Sequence, residues 1–220
     1  MRLLVVAASV FLATSCTRAD TSGDAAGTDT GSIAAGGHTT GAAATASGRA
    51  PALADTIRIE GTPEPMTLQL VESPDGFPMK FSTYMPPDMQ VSFVPDSAAV
   101  KFTAAFGGTV QPLAYVHVQR LAGGIEDARA ESIPARMLGG KAVDRLEVYA
   151  GKPPWADDGA GYSYTENGTH YSGTIATQTE GGTPFRIIIH MPSEYGDGMG
   201  PRVEMLLRHW RWSDGSPLIP

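Results

Sequence analysis

Tyr162-Ser-Tyr-Thr-Glu-Asn167-Gly168-Thr-His-Tyr-Ser-Gly-Thr-Ile175 sets two runs of strand-forming residues around an Asn-Gly pair. Asn-Gly is the preferred pair for a two-residue type I′ turn, because both positions tolerate positive φ and the turn's twist matches that of the flanking strands. The segment therefore reads as a β-hairpin, with 162–166 pairing back on 169–175. Ten residues downstream of Ile175, Phe185-Arg-Ile-Ile-Ile-His-Met191 is the most apolar strand-like run in the chain, which places it centrally in a sheet.

Upstream, Val100-Lys-Phe-Thr-Ala-Ala-Phe106 and Tyr115-Val-His-Val-Gln119 add two more strands. Thr56-Ile-Arg-Ile-Glu60 and Met66-Thr-Leu-Gln-Leu-Val71 alternate apolar and polar residues, as half-buried strands do. Ser73-Pro-Asp-Gly76 is a turn, since Pro presets one central torsion and Gly accepts positive φ. Phe77 to Tyr84 is expected to return from it as the partner strand.

Two helices are expected. Ile125 to Leu138 opens with Glu126 and Asp127, which suit the positive end of a helix dipole, and stops at Gly139-Gly140. Pro134 breaks or kinks it near Ile133. In the last helix Pro201 suits the first turn, and Val203, Leu206, Leu207 and Trp210 recur at i, i+3, i+4 and i+7. The fold class is α+β: a mainly antiparallel β-sheet with one broken helix and a C-terminal amphipathic helix packed on it. This order of elements, with Phe77-Pro-Met-Lys-Phe-Ser-Thr-Tyr84 leading into Met85-Pro-Pro, loosely resembles the PsbP-like α/β/α sandwich. The resemblance implies an architecture and carries over no functional residue.

Ahead of this domain, expected over 55–220, the chain changes character twice. Arg2 precedes the apolar run Leu3 to Leu12, and residues 1–15 read as a secretory signal. Ten helical residues rise about 15 Å, half of a hydrocarbon core, too short for a permanent span. Leu12-Ala13-Thr14-Ser15-Cys16 resembles the lipobox of bacterial lipoproteins, with Ser15 where Gly or Ala is usual. The resemblance implies cleavage before Cys16, a diacylglyceryl group on its thiol and further acylation, including palmitate, on the new amine. Two or three chains anchor stably where one does not. Thr17 after the cysteine, in place of Asp, implies outer-membrane sorting in a two-membrane cell. Residues 16–54 are expected to be a tether: 17–54 hold twelve Ala, seven Gly, seven Thr and three Ser. Such a composition buries too little apolar surface to offset its ordering entropy. His38 lies within it and reads as solvated.

Across all 220 residues there is one cysteine and a net charge of −7. One cysteine excludes an internal disulfide or a multi-cysteine zinc site, and the acidic balance argues against nucleic acid as a partner. The expected partners are the membrane, through Cys16, and an envelope protein.

No reaction centre is legible. There is no Gly-x-Ser-x-Gly elbow, the sole thiol is assigned to lipid, and Gly107-Gly108 and Gly123-Gly124 lack phosphate-loop spacing and read as turns. No catalytic residue is assigned and no cofactor is expected. His117, His170 and His190 each fall on a strand; they either share a sheet face or stand apart. His209 reads as structural. Asn167-Gly-Thr169 also matches a glycosylation acceptor, but the hairpin turn explains it. In Pro192-Ser-Glu-Tyr-Gly-Asp-Gly-Met-Gly-Pro201, Asp197 is expected to cap the helix, and Glu194 with Asp197 are candidate ligands for a hard cation such as calcium. Trp155, in the loop Pro153 to Asp158, and Tyr195 are candidate partner contacts. Three readings follow: a non-enzymatic envelope binding or assembly-support module, which leads; a lipid-anchored hydrolase with a composite site; and a calcium-binding structural domain. A cleft joining the histidines to a carboxylate would favour the hydrolase.

Overall fold

The computed structural model describes residues 45–131, 134, 143–149 and 151–219. The strands are β1 (Ala52–Ile59), β2 (Thr62–Glu72), β3 (Phe81–Met85), β4 (Met89–Val94), β5 (Ala99–Ala104), β6 (Tyr115–Arg120), β7 (Asp144–Tyr149), β8 (Asp158–Glu166), β9 (Thr169–Glu180), β10 (Thr183–Pro192) and β11 (Arg211–Trp212). Helix α1 (Ile125–Glu131) lies between β6 and β7, and α2 (Gly196–Arg208) between β10 and β11. Among the described residues the strands form two antiparallel sheets, ordered β1-β2-β3-β11 and β4-β5-β6-β10-β9-β8-β7. The α+β class and the dominance of antiparallel sheet stand as expected.

The Asn-Gly hairpin forms as read: Glu166 pairs with Thr169, and Asn167 and Gly168 adopt φ of 50° and 80°. Strand β10 takes the middle of the larger sheet, flanked by β6 and β9. Its alternate residues divide between two cores. Phe185, Ile187 and Met191 join the main core with Val100, Phe102, Val116, Val118 and the apolar side of α2. Ile188 joins a second cluster on the opposite face with Tyr162, Tyr164, Tyr171 and Ile175.

At the centre of the main core Trp210 is fully buried and stacks on Phe81, their ring centroids 4.1 Å apart. Polar ties fix α2 against its neighbours. Thr83 Oγ1 donates to the Leu206 carbonyl at 2.7 Å, and Arg202, itself buried, forks onto both oxygens of Asp88. At the end of α2, His209 Nε2 lies 2.8 Å from Asp55 Oδ2 on β1, and that hydrogen bond is the main cause holding the Asp55 carboxyl below its usual range. His209 is structural, as expected.

Several boundaries differ from expectation. Helix α2 starts at Gly196, so Pro201 is inside it rather than in the first turn, and Asp197 does not cap it. Tyr195 stands at the cap position with no side-chain bond, and the Asp197 carboxylate sits in the first turn, facing the positive end of the dipole. The reason is Met199: it lies four residues before Val203 and is fully buried, so the apolar stripe begins a turn earlier and draws the glycine-rich stretch into helix.

Strand β3 starts at Phe81, because residues 77–80 complete the turn, with Phe77 N–H donating to the Pro74 carbonyl. Strand β1 begins at Ala52, inside the segment read as tether, and Ser47 N–H donates to Glu72. Of the expected helix 125–138, the described part is α1 and the helical Pro134; the expected kink near Ile133 lies outside the described residues. Among the described residues no helix is long and apolar enough to cross a membrane.

Candidate functional site: the polar and aromatic face of the large sheet

Because side chains alternate across a strand, the pairing registers map the sheet face turned away from α2. One row crosses the strands as Lys101, His117, Ile188 and Ile175. The next runs Thr103, Tyr115, His190, Gly173 and Tyr162. A third holds Gln119, Arg186 and Thr177. His117 and His190 are thus diagonal neighbours on one face. His170 has the opposite parity on β9 from Tyr171 and is exposed, its Nδ1 lying 3.5 Å from Thr165 Oγ1. The structure brings together two of the three strand histidines.

Gly173 makes the second row possible. A Cβ there would sit 2.1 Å from the Ile189 carbonyl oxygen and 2.6 Å from the Tyr162 hydroxyl, so only a residue without a side chain lets the Tyr162 ring lie across β9. The phenol then reaches His190 Nδ1 at 2.9 Å. Around the buried imidazole, Tyr171, Tyr164 and Tyr162 lie near-parallel at interplanar angles of 12°, 15° and 16°, and Tyr115 is tilted at 5.2 Å.

The other end of the face is half-buried and cationic. Lys101 Nζ stands 4.0 Å above the Tyr115 ring and donates to the Pro112 carbonyl at 3.2 Å. Arg186 donates to Gln119 Oε1 at 2.6 Å, and Gln119 Nε2 donates to the Ser97 carbonyl at 3.3 Å. Gln119 and Arg186 also line a cleft of about 810 Å³ that runs to Asp127 and Ala128 of α1, and Thr177 Oγ1 donates to the Ala128 carbonyl.

These surroundings set the protonation states. Burial, and then the positive charges of Arg186 and Lys101, push the His117 imidazole down to about 4. Burial followed by Lys101 does the same to His190, down to about 4, with Glu166 opposing. Burial raises the Tyr115 and Tyr162 hydroxyls, and burial with Glu166 pushes Tyr164 up to about 12. At neutral pH the imidazoles are uncharged and the phenols protonated. Among the described residues neither imidazole is hydrogen-bonded to a carboxylate, the partner that usually orients a histidine base. The face offers hydrogen-bond donors, acceptors, aromatic surface and two cations, which is chemistry suited to recognition.

The residues singled out in the sequence lie elsewhere. Glu194 and Asp197 are exposed, and among the described residues no three His, Cys, Asp or Glu side chains gather as metal ligands. Trp155 is half-buried against the main core. Tyr195 packs at 5.9 Å on Phe106 and, with Leu113, lines a small cleft of about 230 Å³. Cys16 lies outside the described residues. Sequence reasoning passed over Lys101, Arg186, Tyr115 and Tyr162. The available signal was a cation inside each of two apolar strands, Val100-Lys-Phe102 and Phe185-Arg-Ile187.

No protein-family model and no curated protein matches the chain. The solved structures similar over part of it include two of low identity. A protein from Bacteroides thetaiotaomicron is 13% identical with a TM-score of 0.39, over 65% of this chain and 47% of that one, so the chain spans about half of that protein's length. LpqN, described as involved in cell envelope biogenesis of Mycobacterium tuberculosis, is 12% identical with a TM-score of 0.38, over 65% of this chain and 90% of that one. No residue role is carried over from either.

Proposed function

We propose that the chain is a lipid-anchored cell-envelope protein whose domain is a non-enzymatic binding or assembly-support module, with the Lys101, His117, Gln119 and Arg186 end of the large sheet as its contact surface. One observation carries the reading of the surface: these polar side chains are half-buried on a single face beside an open cleft. Polar groups held at that depth, at strand positions where apolar residues would pack more cheaply, are the arrangement of a recognition surface. Anchoring is supported by the Leu12 to Cys16 pattern and by the apolar run ahead of it.

The hydrolase reading is weakened by two imidazoles with pKa near 4, which are poor bases at neutral pH, and the calcium reading by the exposure of Glu194 and Asp197, which no third ligand-type side chain joins among the described residues. The test is paired capture from detergent-solubilised envelope with the full chain and with its Lys101→Ala/His117→Ala variant. Partners retained by the first and lost by the second support the reading; identical capture by both contradicts it. For the anchor, Cys16→Ser abolishes palmitate labelling, and labelling that persists would contradict it.

A further inference from the structure

On the smaller sheet, away from the surface just described, a cleft of about 550 Å³ opens where residues 46 and 47 meet the ends of β2, β3 and β11. Arg49, Lys80 and Arg211 line it, together with the hydroxyl-bearing Ser47, Ser73 and Ser82. Each cation is held by neutral oxygen. Arg49 donates to Ser82 Oγ at 3.0 Å and lies 4.3 Å above the Tyr84 ring. Lys80 donates to the Pro74 carbonyl at 2.9 Å, and Arg211 donates to the Trp210 and Arg208 carbonyls at 2.6 and 3.1 Å.

Two carboxylates, Glu72 and Asp75, also line the cleft. Glu72 is already occupied by the backbone N–H groups of Ala46 and Ser47, at 3.2 and 2.6 Å, and Asp75 is exposed. No ion pair within 4.0 Å joins any of the three cations to an acid among the described residues. Burial most of all disfavours the Arg49 charge and repulsion from Arg211 adds to it, while Tyr84 and the nearby Glu72 carboxylate, which is not bonded to Arg49, act the other way.

In a chain of net charge −7, three cations converging on one cleft without a bonded counter-ion need a reason. Arginines present planar forks that match the oxygens of a phosphoryl group, while serine hydroxyls add further donors. We infer that this cleft binds a phosphoryl anion through Arg49, Arg211 and Lys80. A phosphodiester headgroup of an anionic lipid and free phosphate share this chemistry.

The test is calorimetric titration of the full chain in neutral detergent with three probes: inorganic phosphate, dihexanoyl phosphatidylglycerol, and dihexanoyl phosphatidylcholine as the zwitterionic control. Binding of phosphate or of phosphatidylglycerol, weakening with added salt and falling at least tenfold in Arg49→Gln/Arg211→Gln, supports the site. Phosphate binding alone assigns a soluble source, and phosphatidylglycerol binding alone assigns a headgroup. Binding of neither, or binding unchanged in the double variant, overturns it. If the double variant unfolds, Lys80→Glu decides: the Lys80 side chain is exposed and bonds only to the Pro74 carbonyl of the adjoining turn, so equal affinity in that variant also overturns the site.

Discussion

The two faces of the seven-stranded sheet are built from the same strands and differ only by one residue of phase. On one, Val100, Phe102, Val116, Val118 and Ile187 close against α2 and Trp210 in a continuous apolar core. On the other, the intervening positions Lys101, Tyr115, His117, Arg186 and His190 place charge, imidazole and phenol across the same strands. A sheet needing stability alone would be apolar on any face it buries. One face is committed to holding the domain together; the other carries groups whose partial burial costs stability, and the proposed recognition role rests on that cost.

The comparison is tested most severely on the apolar side. Trp210→Ala removes a fully buried indole stacked on Phe81 and should cost about 3–5 kcal/mol in urea unfolding. A loss below about 1 kcal/mol would mean that this face is not the principal core. On the polar side, Gly173→Ala should cost about 1–3 kcal/mol, because the new methyl meets the Ile189 carbonyl and the Tyr162 ring. Its signature is displacement of the Tyr162 and His190 resonances while those of Trp210 stay in place.

Acid separates the faces without mutation. His117 and His190 titrate near 4 in the fold against about 6.5 unfolded, so between those values the unfolded chain binds more protons. Their contribution to stability is therefore fully present above about pH 6.5 and is lost as pH falls toward 4. After allowance for solvent screening the loss is about 1–2 kcal/mol. A melting temperature followed from pH 7 to pH 4 should fall, and His190→Phe should flatten the decline. A decline equally steep in that variant would remove His190 from the account. Tyr162→Phe, which deletes only the hydroxyl bonded to His190, should cost about 1 kcal/mol and raise the His190 pKa measured by NMR if the phenol steadies the neutral ring. The smallest effect on stability belongs to Lys101→Ala, about 0.5–1 kcal/mol from the contact with Tyr115, although it should reduce partner capture most.

Much of the large sheet, and of the helix that packs on it, was legible in the sequence. Asn167-Gly168 announced its hairpin, Phe185 to Met191 announced its central strand, and Val203, Leu206 and Leu207 announced the buried side of α2. Each signal is local, carried by a turn or a period. Strands β4, β7 and β11 were missed for the same reason. Met89-Gln-Val-Ser-Phe-Val94 follows a proline pair that hid its alternation, and Arg211-Trp212 is a strand only because β3 lies beside it. The polar face depends on register, which pairs Lys101 with His117 and His190 with Gly173, and no single stretch contains that information. His117 and His190 were visible as strand histidines. That they share a face while His170 does not follows from the pairing of β6, β10 and β9.

The most direct test of the account is site-specific photocrosslinking in intact envelopes, with a photoreactive amino acid placed at His117 in one chain and at the exposed hairpin residue Asn167 in another. The account predicts a discrete crosslinked species from position 117, abolished by Lys101→Ala, and none from position 167. Equal crosslinking from both positions, or none from position 117, would contradict the claim that the polar face of the large sheet is where this protein meets its partner.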